Sequence, residues 1–230
     1  MSSAVQGFYG RWVRLYDVIA RSLPGVRRLR ERAVAALELD PGDTVVEMGT
    51  GTGANLPFLR DAVGSTGTVV GVDVTRPVLD RSRSLIERRE WDNVHLVRGD
   101  ATRSPVGAAD AVLATFVVGM FEDPADAVHG WCDLVGSGGT VVLLDATRSD
   151  RSYARVVNPF FRAFVTLSTP PTLQLRYDRD LAGELDRKIT AARAALGDRS
   201  SAVVHEESYL GLARLTGGRV DSSSVRRDRP

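Results

Sequence analysis

Three glycines at alternate positions, Gly49, Gly51 and Gly53, are the residues of this 230-residue chain best suited to hold a ligand. They follow an apolar run and an acid, Glu47, in "TVVEMGTGTGANLPFL", 44–59. A glycine-rich turn between a strand and a helix lets backbone approach a ligand that side chains would hold off. Downstream, Asp73 closes "GTVVGVD", Asp100 closes "NVHLVRGD", and Thr115 with Phe116 closes "ADAVLATF". Asp73 can accept hydrogen bonds from both hydroxyls of a ribose, and Asp100 can accept one from an adenine amino group. Four consecutive segment ends thus offer one polar or aromatic contact each. An adenosine carrying a charged tail fits that set.

Those ends meet only if the segments are parallel strands joined by helices, and the hydrophobic pattern agrees. The spacing predicts a helix over 8–39, with Trp12, Leu15, Tyr16, Ile19 and Leu23 on one stripe. It breaks at "SLPG" and resumes through Val26, Leu29, Ala33 and Leu37. Thr75 is the expected cap of a helix with Pro77 in its first turn. A further helix from Asp123 to Val135 would bury Val128, Trp131, Cys132 and Val135. "GGTVVLLDAT" reads as strand five, and a helix with Leu181, Leu185, Ile189, Ala192 and Leu196 on one stripe follows. "AVVHEESYL" and "GLARLTGGRV" read as two closing strands. A sheet of this kind binds ligands beyond the carboxyl ends of its strands, where strand order reverses.

The turn itself admits more than one ligand. "GTGTGA" also satisfies the dinucleotide fingerprint, with Ala54 in its third place and Asp73 near the expected ribose acid. Three features favour S-adenosylmethionine. Glu47, two residues before the first glycine, would repel a pyrophosphate and attract an ammonium or sulfonium. Gly53 continues the alternation as G-x-G-x-G, and long helices precede the first strand. A nicotinamide-dependent reductase and a non-catalytic cofactor-binding module stay open as rival readings.

Composition bounds the remainder. A formal charge of +1 gives no global field to recruit nucleic acid. One cysteine, Cys132, excludes an intrachain disulfide and a cysteine-based metal site, and we expect no metal. No apolar run reaches membrane-spanning length, and the first residues lack the apolar core of a signal peptide, so a cytoplasmic protein is expected. His95, His129 and His205 read as structural or surface residues.

"VVEMGTGTG", "VVGVDVT", "VRGDA" and "ADAVLATF", in this order and spacing, resemble the motifs of class I S-adenosylmethionine-dependent methyltransferases. The resemblance is narrower still to the group containing the ubiquinone/menaquinone-biosynthesis and phosphatidylethanolamine methyltransferases, and it runs from Tyr9 to Val220. It implies an α/β, Rossmann-like sheet, mostly parallel with a C-terminal antiparallel strand, with helices on both faces and an N-terminal helical cap. The implied layout is one domain over 1–220: a cap at 1–40, a cofactor-binding core at 41–147, and an acceptor-side segment with the last strands at 148–220. Residues 221–230 read as a disordered tail.

By the same resemblance, S-adenosylmethionine is the cofactor. Glu47 helps orient its methionine amino group, and Gly49, Gly51 and Gly53 pack on its methionyl and ribose portions. Asp73 holds the ribose hydroxyls, Val74 packs on adenine, and Asp100 with Ala101 reads the adenine edge. Thr115 and Phe116 lie near the sulfonium, and Tyr16 covers the cofactor from the cap. Thr50 replaces a cysteine common in relatives, a harmless change in a turn that works through backbone. "VVGMFED" stands where the quinol-specific group has an arginine–asparagine pair, which puts a quinone acceptor in doubt.

No residue stands out as a general base. Asp145, Arg148 and Tyr153 follow or end strand five and are candidates for acceptor contact only. The segments expected to cover the acceptor are apolar: Phe8, Trp12 and Tyr16 in the cap, then Val156, Val157, Phe160, Phe161, Phe164 and Val165. Arg11, Arg14, Arg21, Arg27 and Arg28 flank the cap. This pattern predicts a small, amphiphilic, lipid-like acceptor and at most peripheral membrane contact.

Overall fold

A computed structural model of the chain describes residues 25–149, 151–159 and 181–222. Tyr16 and the other cap residues before Gly25 lie outside the described residues, as do Phe160, Phe161, Phe164 and Val165. Helix α1 is Val26–Ala35 and strand β1 Thr44–Met48, followed by α2 at Leu56–Val63 and β2 at Thr68–Asp73. Then come α3 (Arg76–Arg89), β3 (Val94–Arg98), β4 (Ala111–Thr115) and a 3-10 turn at Val118–Met120. The chain continues with α4 (Pro124–Val135), β5 (Thr140–Ala146), α5 (Leu181–Gly197), β6 (Ser200–Ser208) and β7 (Ala213–Val220).

The seven strands form one sheet in the order β3-β2-β1-β4-β5-β7-β6. β1 through β5 run parallel, and β7 enters antiparallel between β5 and β6. Strand order therefore reverses between β1 and β4, and the 49–53 turn leaves β1 at that point, where ligands of such sheets bind.

Side-chain alternation sorts each strand between two cores. Val46, Met48, Val112, Ala114, Val141 and Leu143 pack with Trp131 and Cys132 of α4 and with Ile189 and Leu196 of α5. Val45, Leu113, Val142 and Leu144 pack on the other side with Leu29 and Ala33 of α1 and Leu56 and Leu59 of α2. By the same alternation Glu47 and Thr115 point to the α1/α2 face, and Asp145 points to the α4/α5 face.

Several expectations are corrected. Thr75 occupies the N-cap position of α3, but its hydroxyl makes no capping bond. Pro77 has no N–H to offer, and the Val78 N–H goes to the Thr75 carbonyl instead. Asp123, by contrast, caps α4 by accepting from the Asp126 N–H at 2.9 Å. Val135 is half-buried rather than buried. β3 stops at Arg98, so Asp100 lies two residues beyond the strand it was expected to end.

Candidate functional site

The turn after β1 is held from every side. The N–H groups of Gly49 and Thr50 both donate to the Val72 carbonyl of β2, at 2.8 and 2.9 Å. The Gly51 N–H donates to Asp73 Oδ2 at 3.0 Å, and the Gly51 carbonyl accepts from the buried Ser82 hydroxyl of α3 at 2.8 Å. All three glycines have positive φ, 73°, 55° and 78°. Their reasons differ. A Cβ on Gly49 would meet Val117 at 2.7 Å, and one on Gly53 would meet Leu56 at 2.7 Å. At Gly51 the nearest atom is the Gly49 carbonyl oxygen at 4.0 Å. Gly49 and Gly53 are therefore required by packing, and Gly51 alone borders open space where a ligand could approach backbone.

Asp73 sits half-buried at the end of β2. Its two oxygens take the Gly51 N–H and, at 2.8 Å, the Thr75 N–H. Two backbone donors fix its orientation while each oxygen keeps lone-pair capacity for a further donor. Val74 beside it is 63% exposed, a large apolar surface next to a fixed carboxylate. Asp100 is exposed, and one of its oxygens accepts both the N–H and the hydroxyl of Thr102. The Thr102 N–H holds its carboxyl below the usual carboxylate range. Ala101 is fixed from behind, because the Trp131 indole N–H donates to its carbonyl at 2.8 Å.

Glu47 departs most from its expected place. It was expected to point into the turn toward a ligand; it is only 1% exposed, beneath the turn. The Thr50 hydroxyl donates to its Oε2 at 2.6 Å, and Asn55 Nδ2 donates to its Oε1 at 2.5 Å. Burial pushes its pKa up to about 7 against the pull of those two donors and of Arg30, while Asp73 adds a further upward push. Its charge is balanced close to neutral pH. Thr50 is likewise more than a backbone carrier, since it supplies that hydroxyl. It also fills the space beside Gly71, where a Cβ would come within 2.9 Å of it.

Sequence reasoning missed Asn55 and Arg30. Asn55 is fully buried at the start of α2 and donates a second bond, to the Thr115 hydroxyl at 3.0 Å. Its carbonyl accepts from Arg30 of α1 at 2.8 Å. The Arg30 guanidinium also lies 5.8 Å from the centre of the Phe116 ring. Phe116 itself has φ 57°, an uncommon conformation for a bulky residue. The "AN" following the glycines was the only sequence signal; nothing local marked Arg30 among thirty basic residues.

The acceptor-side candidates separate. Asp145 is buried under α5, its pKa raised to about 7 by burial, with Arg193 pulling the other way. It is not available for acceptor contact. Arg148 is ion-paired with Asp186 of α5, which also accepts from the Thr147 hydroxyl at 2.8 Å. Tyr153 is 38% exposed, and Met120 and Val156 are exposed by 74% and 65%. All three follow the carboxyl ends of β4 or β5. A fixed carboxylate, open backbone at Gly51 and the exposed apolar Val74 could together take a ligand that carries hydroxyl donors and a flat apolar ring.

Comparison with known proteins points to one family. Residues 46–143 match the methyltransferase domain family. Over 151 residues the chain is 30% identical to a phosphatidylethanolamine N-methyltransferase of Cereibacter sphaeroides, covering 64% of this chain and 70% of that one. It is 25% identical to a demethylmenaquinone methyltransferase of Shouchella clausii over 62% of this chain and 61% of the relative. The fold is similar to that of a SAM-dependent methyltransferase from Aquifex aeolicus, with a TM-score of 0.62 and 18% identity over 86% and 93% of the two chains.

Proposed function

This chain belongs to the class I S-adenosylmethionine-dependent methyltransferases, and we propose that it methylates a small amphiphilic acceptor. S-adenosylmethionine is the methyl donor, and the nicotinamide reading is set aside. When bound, the donor supplies a methyl group already activated by its sulfonium. Asp73 would hold the ribose hydroxyls, Val74 would pack on adenine, and Asp100 with Ala101 would read the adenine edge. Gly51 would pass closest to the donor, with Gly49 and Gly53 shaping the turn around it. Glu47 would act from beneath through Thr50 and Asn55, and Thr115 and Phe116 would border the methionyl end. Tyr16 would close the site from the cap. The domain division at 1–40, 41–147 and 148–220 follows from these roles.

The observation that carries the acceptor class is the exposure of three large side chains, Met120, Tyr153 and Val156, in the segments that follow β4 and β5. Such surface suits an apolar tail, leaving the reacting head toward the donor. Asp145 is buried and so is not the group that would take a proton from the acceptor, and the reading asks of the chain chiefly alignment and exclusion of water. An amine, thiol or enolised carbon suits that chemistry. Among the described residues no helix is long and apolar enough to cross a membrane. The test is incubation with methyl-labelled donor and three acceptor pools: detergent-dispersed lipids, isoprenoid-like small molecules and water-soluble metabolites. Label in either of the first two supports the proposal; label confined to the third refutes it.

A further inference from the structure

We propose that Asn55 is a positioning residue through which Arg30 makes the seating of α1 a condition for donor binding, a step that rests on reading 49–53 as the donor turn. The hydrogen bonds of Asn55 leave it one orientation. Its two N–H groups serve Glu47 and Thr115, and its carbonyl takes the Arg30 guanidinium. Reversed, the amide would set its oxygen against a carboxylate oxygen and its NH2 against a guanidinium. Both contacts would repel, and with Asn55, Glu47 and Arg30 all buried, bulk solvent would screen them little. Arg30 thus holds the amide, and the amide holds the Glu47 carboxylate under the turn. The same amide fixes Thr115: its hydroxyl oxygen accepts from Asn55, so its own proton is directed elsewhere, at the end of β4.

α1 itself is seated by contacts far from the turn. It buries Leu29, Ala33 and Val34 against Val142, Leu144 and Leu215. It begins at Gly25, with φ 92°, where a Cβ would fall 1.7 Å from the Tyr209 hydroxyl. Tyr209 stands in the β6–β7 turn, and its own φ and that of Leu210 are positive, at 52° and 59°. A shift of α1 would withdraw Arg30, free the Asn55 amide and leave Glu47 without that positive charge. The other charged group that bears on Glu47 is Asp73, which would then oppose its ionisation unbalanced.

The experiment is calorimetric titration of S-adenosylhomocysteine into the full chain between pH 5.5 and 9. We expect wild-type affinity to inflect near neutral pH and Glu47→Gln to abolish the inflection. Arg30→Met should weaken binding at pH 8 at least tenfold and move the inflection upward by about one pH unit. Arg30→Lys should restore most of both, and Asn55→Ser should move the inflection the same way with the guanidinium intact. Combined with Glu47→Gln, Arg30→Met should cost less than about threefold, because its route to the turn is already cut. Multiplying effects in the double variant, or lost affinity with an unmoved inflection in the folded single variants, would overturn the proposal. A wild-type chain that binds no product at any pH would instead refute the donor-turn reading, and this inference with it.

Discussion

Replacing Glu47 by glutamine should stabilise the ligand-free protein at pH 8 and leave it unchanged near pH 5. The carboxyl titrates near its ordinary 4.5 when the chain is unfolded and at about 7 when folded. Between those values the folded state holds a proton that the unfolded state has released, so stability falls as pH rises through the window. The loss is complete above about pH 7. At 1.36 kcal/mol per pH unit, the gap from 4.5 to about 7 corresponds to about 3 kcal/mol. Glutamine never ionises, and its oxygen can accept from Asn55 while its amide donates to a rotated Thr50 hydroxyl. Both hydrogen bonds survive, and the desolvated charge is gone. Urea unfolding of both proteins at pH 5 and pH 8 without donor measures this directly, since every other titrating group cancels in the difference. A gain of about 2–3 kcal/mol at pH 8 with little change at pH 5 is expected. An equal effect at both pH values, or a destabilised variant at pH 8, would refute the burial of an ionisable Glu47. The stability gained should be accompanied by weaker donor binding, as strain at functional sites generally implies.

Asp145→Asn should show the same pH signature, from the same cause, while the acceptor KM stays unchanged, because that carboxylate faces α5. A raised KM would return it to the acceptor site. Asp73→Ala should weaken product binding at least tenfold in calorimetry and, because the Gly51 and Thr75 N–H groups lose their acceptor, also lower ligand-free stability by about 1–3 kcal/mol. Unchanged affinity would put the ribose elsewhere. Gly25→Ala should lower the melting temperature, since a Cβ at that positive φ meets the Tyr209 hydroxyl, and Tyr209→Ala should partly restore it. Gly51→Ala should cost about 1–2 kcal/mol of stability from its left-handed φ and weaken donor binding by more than that strain accounts for.

The order of elements was legible in the chain because strand and helix periodicities are local. "TVVEM", "TVVGVD" and "AVLAT" are mostly apolar, as strands buried on both faces are, and each ends within a residue or two of its expected place. Asp73, Val74, Thr115 and Phe116 stand at or just past the strand ends where the pattern puts them, because a parallel sheet sends successive strand ends to one edge, whatever the helices do. What the chain alone could not give was the partner of each polar group. Glu47 was read as facing the ligand, yet its position on β1 turns it toward α1 and α2, where Asn55 and Arg30 await it from 8 and 25 residues along the chain relative to Glu47 and Asn55 respectively. Asp145, two strands away, turns to the opposite core by the same alternation, so two buried acids with similar pKa values have unrelated roles. Which of three glycines borders open space was equally invisible, because Val117 and Leu56 reach Gly49 and Gly53 only after the turn has folded over them. Local pattern fixes where the strands end; the charge, orientation and access of the groups at those ends are set by packing between elements, which only the assembled sheet and helices decide.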